Sequence, residues 1–166
     1  MRLFIAIRFS EEIHRELFSV RDALRAQARS GNFTRPENLH LTLAFLGETN
    51  ETQKIRQVMD AVPASPFPLT VGGTGRFGDT WWVGVDKSTA LERLADGLRS
   101  GLLNAGFSVD TKPFRPHITI ARQLAADAPV TLSAPRTQMT VDRVSLMKSE
   151  RVNGKLSYTE LYGRLL

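Results

Sequence analysis

The hydrophobic positions of this chain switch repeatedly between the spacing of a strand and that of a helix. Residues 2–9 are rich in β-forming side chains and predict a first strand. A helix is predicted next, because Ser10 can act as its N-cap and Glu11 and Glu12 would lie in its first turn, where carboxylates interact favourably with the helix dipole. We expect Gly31 to end this helix. Its apolar face consists of four residues at helical spacing, Ile13, Leu17, Val20 and Leu24.

Two more helices are predicted farther along the chain. One covers about residues 51–62 and ends at a proline-bearing stretch. The other covers about residues 88–104 and is followed by Gly106. The buried face of the helix at residues 88–104 consists of four leucines, Leu91, Leu94, Leu98 and Leu102.

Strands account for the remaining apolar runs. They are predicted over residues 39–46, closed by Gly47, and over residues 117–121. Two others, over residues 67–71 and 80–85, flank a glycine-rich link that we expect to be a hairpin loop with bulges. The tail from Val130 onward is mostly typical of strands, so the order of elements predicts an α+β fold.

Length and composition narrow the class of protein. With 166 residues, we expect positions 1–166 to fold as a single domain. The absence of cysteine excludes disulfides, a thiolate nucleophile and a cysteine-based zinc site, and it favours a reducing compartment. No segment approaches the roughly 18 uncharged apolar residues of a membrane span, so we expect a cytoplasmic protein without membrane contact. The net charge of +5 suits a polyanionic partner such as nucleic acid.

Two of the three histidines open the same four-residue pattern of histidine, apolar residue, threonine and apolar residue. The copies are His40-Leu41-Thr42-Leu43 and His117-Ile118-Thr119-Ile120, and they begin 77 residues apart. Because successive side chains of a strand point to opposite faces, each histidine shares a face with its threonine, while the apolar members can face a core. If the two strands faced each other, two imidazoles and two hydroxyls would line one cleft.

This set of side chains suits phosphodiester hydrolysis without a metal. An imidazole, with an ordinary pKa of about 6.5, can accept or donate a proton near neutral pH. One neutral imidazole could deprotonate water while a protonated one protonates the leaving oxygen, and the threonine hydroxyls could bind phosphate oxygens. No carboxylate stands at ligand spacing beside either histidine, so we expect neither a metal nor another cofactor. The alternative is two structural histidines, with threonines placed by ordinary strand preference.

With their surroundings, residues 39–47 and 114–122, the two strands resemble the 2H phosphoesterase superfamily, and more narrowly the RNA 2′,3′-cyclic phosphodiesterases, also called 2′-5′ RNA ligases. The resemblance extends from the first strand to Tyr158. It implies a bilobal α+β fold with two pseudo-symmetric lobes, each with an antiparallel sheet and outer helices, and an active-site cleft between the sheets. It also implies hydrolysis of a terminal 2′,3′-cyclic phosphate of RNA to a 2′-phosphate, with 2′-5′ RNA ligation without ATP as a further activity.

The resemblance also implies roles for individual residues. His40 would be the proton donor to the leaving 3′ oxygen, and His117 the proton acceptor that activates water. Thr42 and Thr119 would bind the phosphate. Arg122 stands where the family places an arginine that stacks on the terminal base or meets its phosphate.

Other residues near the motifs are weaker candidates for substrate binding. Phe45 could stack on a base, but strand parity favours core packing. Arg115 shares strand parity with His117 and could add positive charge. Trp81 and Trp82 must point to opposite faces of their strand, so one of them could border the cleft. His14 lies beside the apolar stripe of the first helix and is expected at the surface.

The expected partner is an RNA with a 2′,3′-cyclic phosphate end, and we expect a monomer. Two alternatives stay open. The substrate could be a small cyclic phosphate or a 2′-5′ oligonucleotide, since the same catalytic strands would serve these compounds. A non-catalytic RNA-binding module would account for the charge and the aromatic residues without using either histidine.

Overall fold

The chain folds into two antiparallel sheets and three α-helices, as a computed structural model of residues 1–166 describes it. The elements in chain order are β1 (Arg2–Ile7), α1 (Glu11–Gln27), β2 (Ser30–Phe33), a 3₁₀ turn (Pro36–Asn38), β3 (Leu41–Glu48), α2 (Thr52–Ala61), β4 (Phe67–Phe77), β5 (Thr80–Val85), α3 (Thr89–Asn104), β6 (His117–Ala125), β7 (Thr137–Val141), β8 (Arg143–Val152) and β9 (Lys155–Leu165). The four-stranded sheet has the order β3-β1-β8-β9, and the five-stranded sheet has the order β2-β6-β5-β4-β7. The α+β fold is confirmed.

The two halves of the chain repeat one arrangement. In the first half, β1 is followed by α1 and then by β3, which pairs antiparallel with β1 and carries the first motif. In the second half, β5 is followed by α3 and then by β6, which pairs antiparallel with β5 and carries the second motif. The surrounding strands differ, because β3 is an edge strand and β6 is an inner one. The lobes are therefore similar but unequal.

Local signals position the helices largely as the sequence predicts. The hydroxyl oxygen of Ser10 accepts a hydrogen bond from the backbone N–H of Ile13, at 3.3 Å, and so caps α1. Ser88 caps α3 in the same way by accepting from Leu91, at 3.1 Å. The apolar stripes of both helices are buried, as expected. No helix of the fold has the length and apolarity that crossing a bilayer would require.

The predicted end of the first helix at Gly31 is wrong. The helix ends at Gln27, and Gly31 lies within β2, a strand that the sequence did not indicate. This short strand has few apolar residues and exists because it pairs with β6, as in the partnership of Phe33 with Ala121. A strand stabilised by such distant pairing carries no strong local signal.

The predicted glycine-rich loop is also wrong. β4 continues through Gly72, Gly73 and Gly75 to Phe77, and only Gly78 and Asp79 separate it from β5. A register shift between Val71 and Thr74 absorbs the two glycines that lie there. Gly75 lies under an indole, since a Cβ added there would overlap Cη2 of Trp82. Gly75 therefore admits a close neighbour, whereas Gly73 and Gly78 have positive φ angles that favour glycine.

Each motif strand contains a bulge at the fourth motif residue. Between the pairs Ile5–Ala44 and Ala6–Thr42, Leu43 has no partner on β1. In β6, Ile120 likewise has no partner on β5, between the pairs Trp81–Ala121 and Trp82–Thr119. One extra residue reverses the alternation of faces for the residues that follow.

The bulges turn Phe45 and Arg122 toward the cleft. Leu43 and Ala44 are both buried, as are Ile120 and Ala121, although neighbouring residues of a regular strand would face opposite ways. Phe45 is 61% exposed, so the parity argument for its packing in the core is wrong. The two residues occupy the same place, two positions after the bulge, in the two motif strands.

One continuous hydrophobic cluster joins the helices to both sheets and includes the apolar members of both motifs. On the opposite, cleft-facing side of the four-stranded sheet, Phe4 and Ala6 form a second, smaller cluster with Met147, and Tyr158 packs against it. Trp81 packs on the main core, whereas Trp82 lies on the same side of the five-stranded sheet as His117. The cleft is thus built on the faces that the main core leaves free.

The bulge in β3 predicts that two large-to-alanine changes destabilise the protein to different extents. Leu43→Ala should lower the free energy of unfolding by about 2–5 kcal/mol, because the side chain is fully buried. Phe45→Ala should cost less than about 1 kcal/mol, although a phenylalanine in a core would cost about 3–5. Urea denaturation of both variants measures this difference. A regular strand without the bulge would instead make Phe45→Ala the costlier change.

Candidate active site

The polar members of both motifs line one cleft. His40 and Thr42 lie at the four-stranded sheet, His117 and Thr119 lie on β6 of the five-stranded sheet, and all four border a cavity of about 910 Å³. The strands β3 and β6 contact each other across it. The structure therefore brings together the four residues that the sequence singled out, in a cavity large enough for a nucleotide.

A backbone carbonyl orients each imidazole in the same way. Nδ1 of His40 lies 2.6 Å from the carbonyl oxygen of Asn38, and Nδ1 of His117 lies 2.7 Å from that of Arg115. A carbonyl oxygen only accepts, so Nδ1 carries the hydrogen in both rings. In both cases Nε2 is then the nitrogen left to exchange a proton with a ligand. The carbonyl belongs in each case to the residue two positions before the histidine.

His40 is enclosed. Its ring centroid lies 4.9 Å from that of Phe4 and 5.1 Å from that of Tyr158. Its Nε2 lies 2.8 Å from Oγ1 of Thr42, whose hydroxyl donates to the neutral imidazole. Burial lowers the pKa of His40, the Asn38 carbonyl partly offsets this by favouring the charged ring, and the positive charge of Arg122 lowers the pKa further.

His117 is more open and lies against different aromatic rings. The ring of Phe77 meets it edge-on, at 85° and 5.2 Å between centroids, and that of Trp82 lies 6.4 Å away. No protein group forms a hydrogen bond with its Nε2. The two histidines thus share a backbone frame and differ in their surroundings.

Asn38 supports His40 and is absent from the sequence predictions. It is buried, at 5% exposure, and its Nδ2 donates to the carbonyl of Leu156 at 2.9 Å. Arg35 donates to the same carbonyl at 3.2 Å. These bonds fix the β8–β9 hairpin, and with it Tyr158, beside His40. The side chain of Asn38 bonds to a residue far away in the chain, so no local pattern in the sequence indicated it.

Arg99 is a second residue that sequence reasoning missed. From α3, its Nε donates to the carbonyl of Leu43, the bulge residue, at 3.1 Å, and its Nη1 donates to that of Lys112 at 3.0 Å. The guanidinium lies 5.1 Å from the ring centroid of Phe114. One side chain therefore links the first motif to the segment that leads into the second. Its place beside the buried leucine stripe of α3 was the available signal.

The expectation for His14 is wrong. The side chain is half-buried, and its Nε2 forms a hydrogen bond with the carbonyl of Pro36, in the turn that precedes His40. His14 does not line the cleft. It has a structural role at the base of the first motif.

The cleft is strongly basic. Arg115 is exposed and lines it, as do Phe45 and Arg122, so all three weaker candidates for substrate binding lie at the cavity. Asp110 contributes a carboxylate, which accepts a hydrogen bond from the backbone N–H of Lys112. Six basic residues line the cleft, Arg2, Arg99, Lys112, Arg115, Arg122 and Arg151. Such an excess of positive charge attracts polyanions. No three histidine or carboxylate side chains cluster as metal ligands would.

Comparison with known proteins identifies the family. The model of the 2′-5′ RNA ligase superfamily matches residues 9–153. The RNA 2′,3′-cyclic phosphodiesterase of Thermotoga maritima is 33% identical over 98% of this chain and 94% of its own length. The enzyme of the same name from Geobacillus stearothermophilus is also 33% identical, over 81% of this chain, and there the match spans only 46% of the relative's length.

The fold leads to the same family. The structure of Escherichia coli LigT in complex with 3′-AMP superposes with a TM-score of 0.87 and 28% sequence identity, covering 99% of this chain and 97% of that one. The superposition therefore includes both sheets. The chain belongs to the 2′-5′ RNA ligase superfamily, within the 2H phosphoesterases.

Proposed function

We propose that this protein hydrolyses the terminal 2′,3′-cyclic phosphate of RNA to a 2′-phosphate by acid-base catalysis with two histidines and no metal. The observation that carries the proposal is the pair of imidazoles in one cleft, each held at Nδ1 by a carbonyl. Both rings can then exchange a proton at Nε2 only. Family membership supports the substrate, since the relatives are named RNA 2′,3′-cyclic phosphodiesterases.

The reaction follows from these two nitrogens. Neutral His117 removes a proton from water, whose oxygen forms a bond with phosphorus. The bond from phosphorus to the 3′ oxygen breaks, and that oxygen takes a proton from His40. The roles fit the more open surroundings of His117, where water has access, and the closed surroundings of His40.

The lowered pKa of His40 requires help from the substrate if this residue is the donor. Burial disfavours its imidazolium in the free protein. A bound phosphate anion beside Nε2 favours the charged ring and raises the pKa. We infer that binding of the phosphate protonates His40 and so prepares the donor.

Five further residues complete the proposed binding site. The hydroxyls of Thr42 and Thr119 donate to non-bridging phosphate oxygens, so Thr42 exchanges its bond with His40 for one with the substrate. Phe45 and Arg122 face the cleft at equivalent positions of the two strands, and we propose that they hold the terminal base by stacking. Arg115 adds positive charge.

Charge favours RNA over a small cyclic phosphate. Six basic residues line a cleft in which one phosphate would need only a few of them, so a chain of phosphates is the better match. The complex of LigT with 3′-AMP supports a nucleotide ligand. One hydrophobic cluster joins the helices to both sheets, and this chain supplies every residue that the mechanism uses; we therefore propose that residues 1–166 act as a single domain and a monomer.

The same site can join RNA ends. If a 5′-hydroxyl replaces water beside His117, the same bonds form and break and a 2′-5′ linkage results without ATP. The description of the family as 2′-5′ RNA ligases favours this second activity.

Substitution of each histidine in turn distinguishes the proton donor from the proton acceptor. On an RNA cyclic phosphate, His40→Ala and His117→Ala should each lower kcat by about 10²–10⁴-fold. A 4-nitrophenyl phosphodiester needs no proton donor, because 4-nitrophenolate leaves readily. On that substrate His40→Ala should therefore keep most of its activity, while His117→Ala should not. Initial rates of both variants on both substrates, measured in excess chelator, test this prediction.

His14→Gln is the matched control, since it alters the third histidine, keeps a hydrogen-bond donor for Pro36 and should leave kcat near the wild-type value. The opposite pattern on the nitrophenyl ester would exchange the roles of His40 and His117. Full activity of either alanine variant on RNA, or loss of wild-type activity in chelator, would contradict the proposed mechanism.

The pH dependence of kcat/KM should report the effect of the Arg122 charge on the pKa of His40. One proton-donating and one proton-accepting group give a bell-shaped curve, and one limb reports His40 in the free protein. The charge of Arg122 lowers the pKa of His40, so Arg122→Gln should raise it and move that limb to higher pH. Arg115→Gln is the control, because this cleft arginine does not contribute to the shift. If Arg122→Gln moved neither limb, or moved one to lower pH, His40 would not be one of the two titrating groups.

A further inference from the structure

An aromatic surface adjoins His117 that the proposed hydrolysis does not use. Trp82 is paired with Thr119 of β6 on one side and with Gly75 of β4 on the other. Residues directly opposite in antiparallel strands share a face, so these three lie on the cleft side of the five-stranded sheet. Because Gly75 has no side chain, the indole of Trp82 lies directly over β4. This contact explains one glycine of the glycine-rich strand.

Phe77 extends this surface. It lies two residues beyond Gly75 on β4 and therefore on the same face. Its ring centroid is 5.3 Å from that of Trp82 and 5.2 Å from that of His117, yet 46% of the residue is exposed. We call Phe77 and Trp82 together the second aromatic surface. It leaves an aromatic ring open to solvent directly beside the proposed proton acceptor.

The second aromatic surface differs in position from the proposed site of the 3′-terminal base. That base would lie between Phe45 and Arg122, which line the main cavity, whereas neither Phe77 nor Trp82 lines it. His117 lies between the two regions, bordering the cavity and packing on Phe77. A group bound on Phe77 would therefore approach phosphorus from the side of the attacking oxygen.

We propose that the second aromatic surface binds the 5′-terminal base of an RNA strand that carries a free 5′-hydroxyl. The proposal rests on the function proposed above, in which His117 activates the nucleophile. The 5′-hydroxyl gives its proton to Nε2 of His117, its oxygen bonds to phosphorus, the bond to the 3′ oxygen breaks, and that oxygen takes a proton from His40. The surface thereby favours RNA over water as the nucleophile. Stacking suits this purpose because every base offers a π-face.

Competition between water and an acceptor strand tests the proposal. An RNA with a 2′,3′-cyclic phosphate end is incubated with a 5′-hydroxyl oligonucleotide, and the joined product is measured relative to the 2′-phosphate product. In Phe77→Ala this ratio should fall about tenfold, with a corresponding rise in the KM for the acceptor, because a stacking partner is lost. Phe77→Tyr should restore the ratio. Phe18→Ala removes a phenylalanine of α1 with similar exposure, 37%, and should leave the ratio at the wild-type value.

The other outcomes are distinguishable. An unchanged ratio in Phe77→Ala, including equal loss of both products, would mean that Phe77 only supports His117 and would overturn the proposal. Hydrolysis by the wild type without any joining at high acceptor concentration would overturn it and leave the hydrolytic function intact. Absence of both products would contradict the proposed function, and quenching of indole fluorescence by adenosine, compared between wild type and Phe77→Ala, would then decide whether the surface binds a base.

Discussion

The lining of the cleft depends on a shift of one residue in the pairing of each motif strand. At Leu43 and at Ile120 the strand contains one residue more than its partner, and the following residues change face. Both skipped side chains stay fully buried, so each bulge keeps its apolar contacts while it turns a later residue outward. Phe45 and Arg122 reach the cleft only for this reason. A regular strand would present the histidine and threonine but place these two residues in the core.

The two motif histidines have the same backbone hydrogen bond but different neighbouring side chains. Both imidazoles are fixed at Nδ1 by a carbonyl two residues earlier, so backbone geometry sets the same tautomer twice. Burial lowers the pKa of His40, which lies between the rings of Phe4 and Tyr158, whereas His117 lies against Phe77 and Trp82. The inequality that the two proposed catalytic roles require comes from packing rather than from the motif, because the motif is the same in both strands.

Local patterns in the sequence predicted the elements whose stability is itself local. The cap Ser10 and the apolar stripes of α1 and α3 act within a few residues of themselves, and the structure confirms them. The strand β2, the continuation of β4 and the cleft-facing position of Phe45 depend on partners far away in the chain, so periodicity alone could not indicate them. The same holds for Arg99, whose hydrogen bonds to Leu43 and Lys112 exist only in the folded protein.

The identity of the hydrolysis product tests the central claim most directly, because the claim fixes which oxygen leaves. An RNA with a 2′,3′-cyclic phosphate end is incubated with the wild-type protein in excess chelator, and the product is identified by ³¹P NMR. Complete conversion to the 2′-phosphate is expected. Formation of the 3′-phosphate would mean that the 2′ oxygen leaves, and an unchanged cyclic end would mean that two histidines alone do not suffice; either result would contradict the mechanism.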